Sequence, residues 1–438
     1  MSRRMTRLSR TLRTVDGLAM VVGIMVGTGI FRTPGLVAGQ LGRPLLTFVA
    51  WGLGGLVGLM GALVFAELAT RHPQAGGKYV YAREAFGRRA GFVIGWIEAL
   101  GIYSAAIAAI GMVSGEYLAR LLAWPAHTAR GLGLVLVAAF TGLNLIGVRA
   151  GRSTQNLATA TKVLALFAVV VAAGLRGSGA GWTTALPAAP TGLATLGALA
   201  VAFQAVIWTY YGYPDAAKIA EEVVDPGRNL PRVFLTGILS VTLLYLVLNA
   251  AFLHVLPLDQ IAASSLVAED LVAAIFGGRA GTVMAALALL VVLGSLNGNL
   301  FVTPRVVFGL SRDGLGPAAL GRVNAGGTPS TAMVLVSVVA MILLATGSFE
   351  RLLSLAIVFI LLTDAFMVAV LLRLRAREPE APFHVPLYPL LPLLFALIYL
   401  LLFAGAAWQQ PGVTAIVLGA LAATYLASRA IVAYSPTA

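Results

Sequence analysis

The strongest constraint on this chain is a succession of apolar stretches, each about as long as a bilayer is thick. A helix needs about 20 apolar residues to cross the hydrocarbon core. Twelve stretches meet that measure: 15–41, 45–68, 89–121, 130–148, 155–175, 194–219, 231–255, 280–303, 330–347, 351–372, 389–408 and 411–430. They are apolar on every face rather than alternating. Only a helix satisfies its own backbone in lipid in that pattern, so the expected fold is an all-α membrane protein with 12 transmembrane helices. Charged residues make up 11% of the 438 and hydrophobic residues 59%, where a soluble domain carries roughly 25% charged. Too few charges remain to coat a soluble globule.

The charges that are present carry topological information. Lys and Arg number 30 against 17 Asp and Glu, a net charge of +13. In a soluble chain this excess suggests nucleic acid. Here it reads as basic loops that set orientation, and no nucleic-acid partner is expected. An even number of spans puts both termini on one side. With the 1–14 tail cytoplasmic, 22 basic residues fall on inner segments, seven on outer ones, and Lys162 lies inside a span. The positive-inside rule therefore places both termini in the cytoplasm of a multi-pass protein of the cell (inner) membrane. Arg3, Arg4, Arg7, Arg10 and Arg13 resemble a signal-peptide n-region, but the apolar run that follows is too long and lacks a small-residue cleavage site. The chain has no cysteine and four scattered histidines, so disulfides, thiol chemistry and metal or cofactor sites are not expected. No nucleophile–base pair at one depth supports a membrane enzyme. No continuous polar lining supports a channel.

Two spans are interrupted. The first reads GLAMVVGIMVGTGIFRTPG, with Gly23, Gly27 and Gly29 close together. The sixth reads FQAVIWTYYGYPDAAKIAEE, with Gly212 and Pro214 near its middle. Gly costs about 1 kcal/mol in a helix interior and Pro about 3, and broken backbone at membrane depth survives only where it lines a cavity or is buried in protein. Small residues also serve close helix packing, which is the plainer explanation for either break alone. Breaks at corresponding positions of spans 1 and 6 suggest a five-plus-five inverted repeat, 15–175 and 194–372, with two additional helices over 389–430. A second half-helix starting near Thr28-Gly29-Ile30 offers free N–H groups to a carboxylate. The broken C-terminal ends leave carbonyls suited to an ammonium group. An α-amino acid carries both groups on one carbon.

At these residues the chain resembles the amino acid–polyamine–organocation transporter family, nearest its L-type branch. VGIMVGTGIF is similar to the family's unwound segment of helix 1. The inner loop Pro73-x-x-Gly76-Gly77-x-Tyr79-x-Tyr81, with Glu84, Phe86 and Gly87, is similar to the family's first inner loop. Ala220-Glu221-Glu222 with Asp225-Pro226-x-Arg228-Asn229-Leu230-Pro231 resembles the segment joining helices 6 and 7. Gly294-Ser295-Leu296-Asn297-Gly298-Asn299-Leu300-Phe301 through Arg305, then Ser311-Arg312-Asp313-Gly314, resembles helix 8. The resemblance implies a LeuT-like fold with discontinuous helices 1 and 6, alternating access, and no enzymatic chemistry. It implies a substrate site at Met25, Gly27, Thr28, Gly29, Ile30, Trp208, Thr209, Tyr211 and Gly212. Thr28 and Gly29 would offer N–H groups to the carboxylate. The carbonyls of Met25, Trp208, Thr209 and Tyr211 would receive the ammonium, and Trp208 would gate the site.

Lys162 matches the helix-5 lysine that stands in place of sodium in sodium-independent members. It would donate to carbonyls near Gly23 and to a helix-8 group such as Ser295, either as a fixed strut or as a proton carrier. The plainer alternative is a lysine that snorkels to the inner surface. Glu98 and Asp364 lie deep enough to serve as proton relays. Glu67 and Glu116 lie near span ends and are expected to be solvated, and Asp215 is expected to cap the half-helix after the break. Glu221 and Glu222 are expected to pair with loop arginines at an inner gate, the alternative being that they are simply solvated. Tyr211, Tyr213 and Pro214 depart from the family's usual pocket residues. The expected function is secondary transport of neutral L-amino acids, by exchange or with a proton. The alternative is a cationic amino acid or polyamine antiporter using Asp215. With no cysteine, a disulfide-linked ancillary subunit is not expected.

Overall fold

The computed structural model describes residues 10–187, 189–264 and 266–433; most of the expected N-terminal tail, residues 1–9, lies outside them. Apart from single turns, the helices run in order α1 (Thr14–Met25), α2 (Gly29–Leu41), α3 (Pro44–Arg71), α4 (Lys78–Phe86) and α5 (Arg88–Leu121). Then come α6 (Ala129–Ile146), α7 (Val148–Arg176), α8 (Leu193–Tyr210), α9 (Pro226–Val255), α10 (Leu258–Ala263) and α11 (Val267–Phe276). The series ends with α12 (Gly278–Val302), α13 (Pro304–Arg312), α14 (Ser330–Thr346), α15 (Phe349–Arg377), α16 (Leu390–Gln409) and α17 (Pro411–Ala433). Among the described residues the only non-helical pairing is a parallel bridge between Leu12 and Val223.

Nine of the described helices are long and apolar enough to cross a membrane, and the pair α1–α2, bent by 43°, makes a tenth. The helix α14 is apolar but has 17 residues, and α8 has 18. The sixth stretch differs from the sequence expectation in one respect: the α-helix stops at Tyr210. Gly212 then takes φ +136° and the chain continues in 3-10 turns over Tyr213–Ala217 and Ala220–Glu222. Pro214 has no N–H to return to the preceding turn, and tight turns take over from the helix there.

Helix α1 occupies the centre, packed on α9, α7 and α12. Helices α2, α3, α8 and α9 form one group around it, and α5, α12, α14 and α15 another. Helix α5 is mostly buried, whereas α17 presents nearly its whole surface outward. Within α5, residues Ile97–Tyr103 form a π-helical segment.

Charged residues assigned to loops depart from expectation. Glu67 is fully buried rather than solvated. Its carboxylate accepts from Arg71 Nη2 at 2.6 Å and from the Val385 N–H at 2.7 Å, with Arg375 and His384 each 3.7 Å away. These donors explain why a carboxylate is tolerated there, and they clamp the α15–α16 connection to the end of α3. Glu116 pairs with Arg32 and is partly exposed. Lys78 and Lys218, two of the 22 basic residues assigned to inner segments, are buried as well.

Candidate functional site

The two breaks meet. Helix α1 ends where Val26 leaves helical geometry (φ −77°, ψ 87°), and α2 restarts at Gly29. Gly212 lies directly against this end: a Cβ there would sit 2.8 Å from Met25 Cγ and 3.1 Å from the Met25 nitrogen. Its positive φ and this close approach both require glycine. Gly29 is similarly tight against Thr209, whose Cβ would lie 2.9 Å from an added Cβ.

Between the breaks is a cavity of about 40 Å³. Met25, Gly27, Thr28, Gly29, Trp208, Thr209, Tyr211 and Gly212 line it, so eight of the nine residues expected at a substrate site share one wall system. Ile30 is buried but does not line the cavity. Thr28 precedes α2 without capping it by its side chain; the Phe31 N–H turns back to Thr28 O at 3.3 Å, and the helix start, with its positive dipole end, meets the cavity at Thr28 and Gly29. Sequence reasoning missed the opposite wall, made by Ile102, Tyr103, Ala106 and Ile110 of α5 with Asn299 and Ile360.

The carbonyls released by the break have partners within the protein, each oxygen keeping a second lone pair. Lys162 Nζ, fully buried on α7, donates to Gly23 O at 2.7 Å and Val26 O at 2.8 Å, and lies 3.5 Å from Ser295 Oγ. The Ser295 hydroxyl is 3.0 Å from Gly23 O, 3.3 Å from Ile24 O and 3.0 Å from Val26 O. The hydroxyl of Tyr245 on α9 donates to Met25 O at 2.7 Å and stands 3.2 Å from Thr209 O, bridging the two broken helices. A tyrosine inside an otherwise apolar span is its only trace in the sequence. The Trp208 carbonyl receives the Tyr211 N–H at 3.0 Å. Trp208 itself is half-buried at the cavity edge.

Asp215 does not cap a helix. Its Oδ1 accepts from Lys218 Nζ at 2.6 Å, and its Oδ2, also buried, has no hydrogen-bond partner. Glu98 and Asp364, the two relay candidates, are fully buried beside it. Glu98 lies 3.8 Å from Lys218, and Asp364 is paired with Lys78. The arginine-rich end of the molecule is closed by further pairs. Glu222 accepts from Arg305, with Nη2 at 3.1 Å, and Glu221 accepts from Arg312 Nη1 at 2.7 Å. Asp313 accepts from Arg83 and from the Tyr79 hydroxyl at 3.0 Å. Burial, then the Asp313 charge, push the Tyr79 phenol well above its ordinary value, so it stays a donor.

A family described as amino acid permease matches residues 12–426. The chain belongs to the amino acid permease family. This permease is 29% identical over 393 residues to the serine/threonine exchanger SteT of Bacillus subtilis, covering 88% of this chain and 89% of that protein. It is 29% identical over 419 residues to the human large neutral amino acids transporter small subunit 2, covering 93% and 78%. It is 27% identical over 423 residues to the mouse b(0,+)-type amino acid transporter 1, covering 93% and 84%. The family and these relatives are transporters, not enzymes, and the permease is a multi-pass membrane protein with many apolar helices.

Proposed function

We propose that this permease carries neutral L-amino acids without sodium, by alternating access around the cavity between the two breaks. One observation carries the reading: an N-terminal helix end, a carbonyl-and-hydroxyl end and an aromatic side chain share one small cavity. The first suits a carboxylate, the second an ammonium group and the third a side chain. Met25, Gly27, Thr28, Gly29, Ile30, Thr209, Tyr211 and Gly212 form the substrate site, and Trp208 is its gate. Lys162, with Gly23 and Ser295, occupies the position of a coupling cation, and its ammonium leaves no room for sodium among those oxygens. Eight wall residues and two short Lys162 bonds support these assignments.

In the same reading the chain has twelve spans, with α8 and α14 included. Residues 15–175 and 194–372 are the inverted halves of a LeuT-like fold and 389–430 the added pair. Both termini face the cytoplasm of the cell membrane. The relatives' names add exchange as the mode and a neutral substrate as the class. A second reading, a cationic substrate held by Asp215, draws on its unpartnered Oδ2 at the cavity. The Lys218 ammonium on Oδ1 already balances that charge, which favours the neutral substrate. The test is counterflow in proteoliposomes with each of the twenty amino acids, with and without sodium. Saturable, trans-stimulated and sodium-independent exchange of neutral amino acids is expected. Exchange of arginine and lysine alone, or a sodium requirement, overturns the reading.

A further inference from the structure

Beside the cavity lies a second buried constellation that neither substrate nor Lys162 accounts for. It contains two ammonium groups, Lys78 and Lys218, and three carboxyl groups, Glu98, Asp215 and Asp364, all at most 1% exposed. Four of the five form two closed pairs. Lys78 is paired with Asp364 and also donates to Tyr211 Oη at 2.7 Å, with Thr363 Oγ1 at 3.3 Å. Lys218 donates to Asp215 at 2.6 Å and lies over the Tyr103 ring. Glu98 is the remainder. Neither of its oxygens has a hydrogen-bond partner, and its nearest charge, at 3.8 Å, is the lysine already matched by Asp215.

An ionised carboxylate in a dry interior is stable only when paired and hydrogen-bonded. Glu98 has no hydrogen bond and shares its one close cation, Lys218 at 3.8 Å, with Asp215; three carboxyls face two ammonium groups, so the arrangement balances only with a proton on one carboxyl. The four other charges are matched, which leaves Glu98 as its holder. The groups facing Glu98 are Lys218 and Asp215 after α8, Lys78 and Tyr81 on α4, Asp364 on α15, and Tyr103 and Tyr211. The hydroxyl of Tyr81 is buried and unpartnered too. Glu98 also stands in the π-helical segment of α5, a distortion frequent at functional sites. Tyr103, Tyr211 and Asp215 touch this cluster and line the cavity at the same time. Movement of the 208–218 segment therefore changes the surroundings of both.

We propose that Glu98 is a proton-binding site, and that the permease moves one proton with each amino acid. With the Lys218–Asp215 pair closed, Glu98 keeps its proton. When the segment after Tyr210 shifts and parts that pair, Lys218 becomes a partner for an ionised Glu98, and the proton leaves to the side that is then open. The proposal rests on the transport reading above and extends it to the coupling ion.

The experiment uses the full chain in liposomes loaded with a pH-sensitive dye. The probe is L-threonine, or whichever of the twenty amino acids gives the largest exchange signal. Addition outside at equal pH is expected to acidify the interior. A one-unit gradient, alkaline inside, is expected to drive up to about tenfold accumulation, the ratio that one proton per substrate sets at 1.36 kcal/mol per pH unit. Glu98→Gln is expected to lose both responses while still exchanging. Exchange by the unaltered chain with no dye signal and no accumulation overturns the proposal, as does gradient-driven accumulation by Glu98→Gln. Should the Gln variant not purify, Glu98→Asp keeps the carboxyl but withdraws it from Lys218. It is expected to shift the pH midpoint of driven uptake, and an unshifted midpoint overturns the assignment. Absence of exchange for all twenty amino acids would instead count against the transport reading itself.

Discussion

Removing the Lys162 ammonium tests the cation role most directly. Its bonds to Gly23 O and Val26 O, 2.7 and 2.8 Å, are charge-assisted, a class worth about 1.5–3 kcal/mol each. After Lys162→Ala, Ser295 Oγ alone faces the Gly23, Ile24 and Val26 carbonyls. One hydroxyl hydrogen serves one acceptor at a time, so at least one buried carbonyl is orphaned, at about 1–3 kcal/mol. Loss of the ammonium also removes its own burial cost, so the penalty falls on the geometry of the break more than on the stability of the whole. A loss near 1.4 kcal/mol in the competent arrangement already lowers its population about tenfold. Uptake by Lys162→Ala is therefore expected to fall at least about tenfold while the protein still elutes as a single species. Lys162→Arg is expected to fail too, because the wider guanidinium cannot set one nitrogen on both Gly23 O and Val26 O as the ammonium does. Proteoliposome exchange measures both variants. Near-normal uptake by Lys162→Ala would refute the reasoning.

Gly212→Ala places a Cβ 2.8 Å from Met25 Cγ at φ +136° and is expected to abolish exchange and lower the melting temperature in detergent; unchanged exchange would show that the two breaks need not touch. Tyr245→Phe removes the hydroxyl on Met25 O and Thr209 O, a loss of about 1–3 kcal/mol, and is expected to raise KM with little change in folding; an unaltered KM would detach Tyr245 from the site. Arg305→Ala leaves Glu222 buried and unpaired, at about 3–5 kcal/mol, so thermal stability in detergent is expected to drop. Adding Glu222→Gln is expected to recover part of it, and a double variant no more stable than the single one contradicts the pairing.

The fold was legible wherever one segment sufficed to show it. Apolar length marked nearly every helix, and glycine clusters marked the break at 26–28 to within a residue or two. Lys162 was legible because an ammonium deep in an apolar run has few alternatives. What stayed hidden joins residues far apart in the chain. Nothing near Lys78 announces Asp364, and nothing near Tyr245 announces Met25. Both lysines of the buried cluster sit in segments whose polarity reads as solvent-exposed loop, and only the partner carboxyls make burial affordable. Glu67 was misplaced in part for the same reason: beside its neighbour Arg71, its remaining partners come from residues 375–385. The release of α8 into tight turns after Tyr210 was half visible: Gly212 and Pro214 fix where the helix ends, but not that it fails to resume.

The π-helical segment at Ile97–Tyr103 has a consequence for how this wall came to exist. Such a segment holds one residue more than the α-helix it interrupts, and each residue turns a helix by about 100°. Ala106 and Ile110, which follow it, therefore face the cavity because the widened turn absorbs that extra residue. Wound as ordinary α-helix throughout, the same sequence would carry every later side chain of α5 round by about 100°, whereas deleting one amino acid together with the widened turn would leave those side chains in place. The permease's inner surface thus depends on one locally widened turn as much as on the residues that line it.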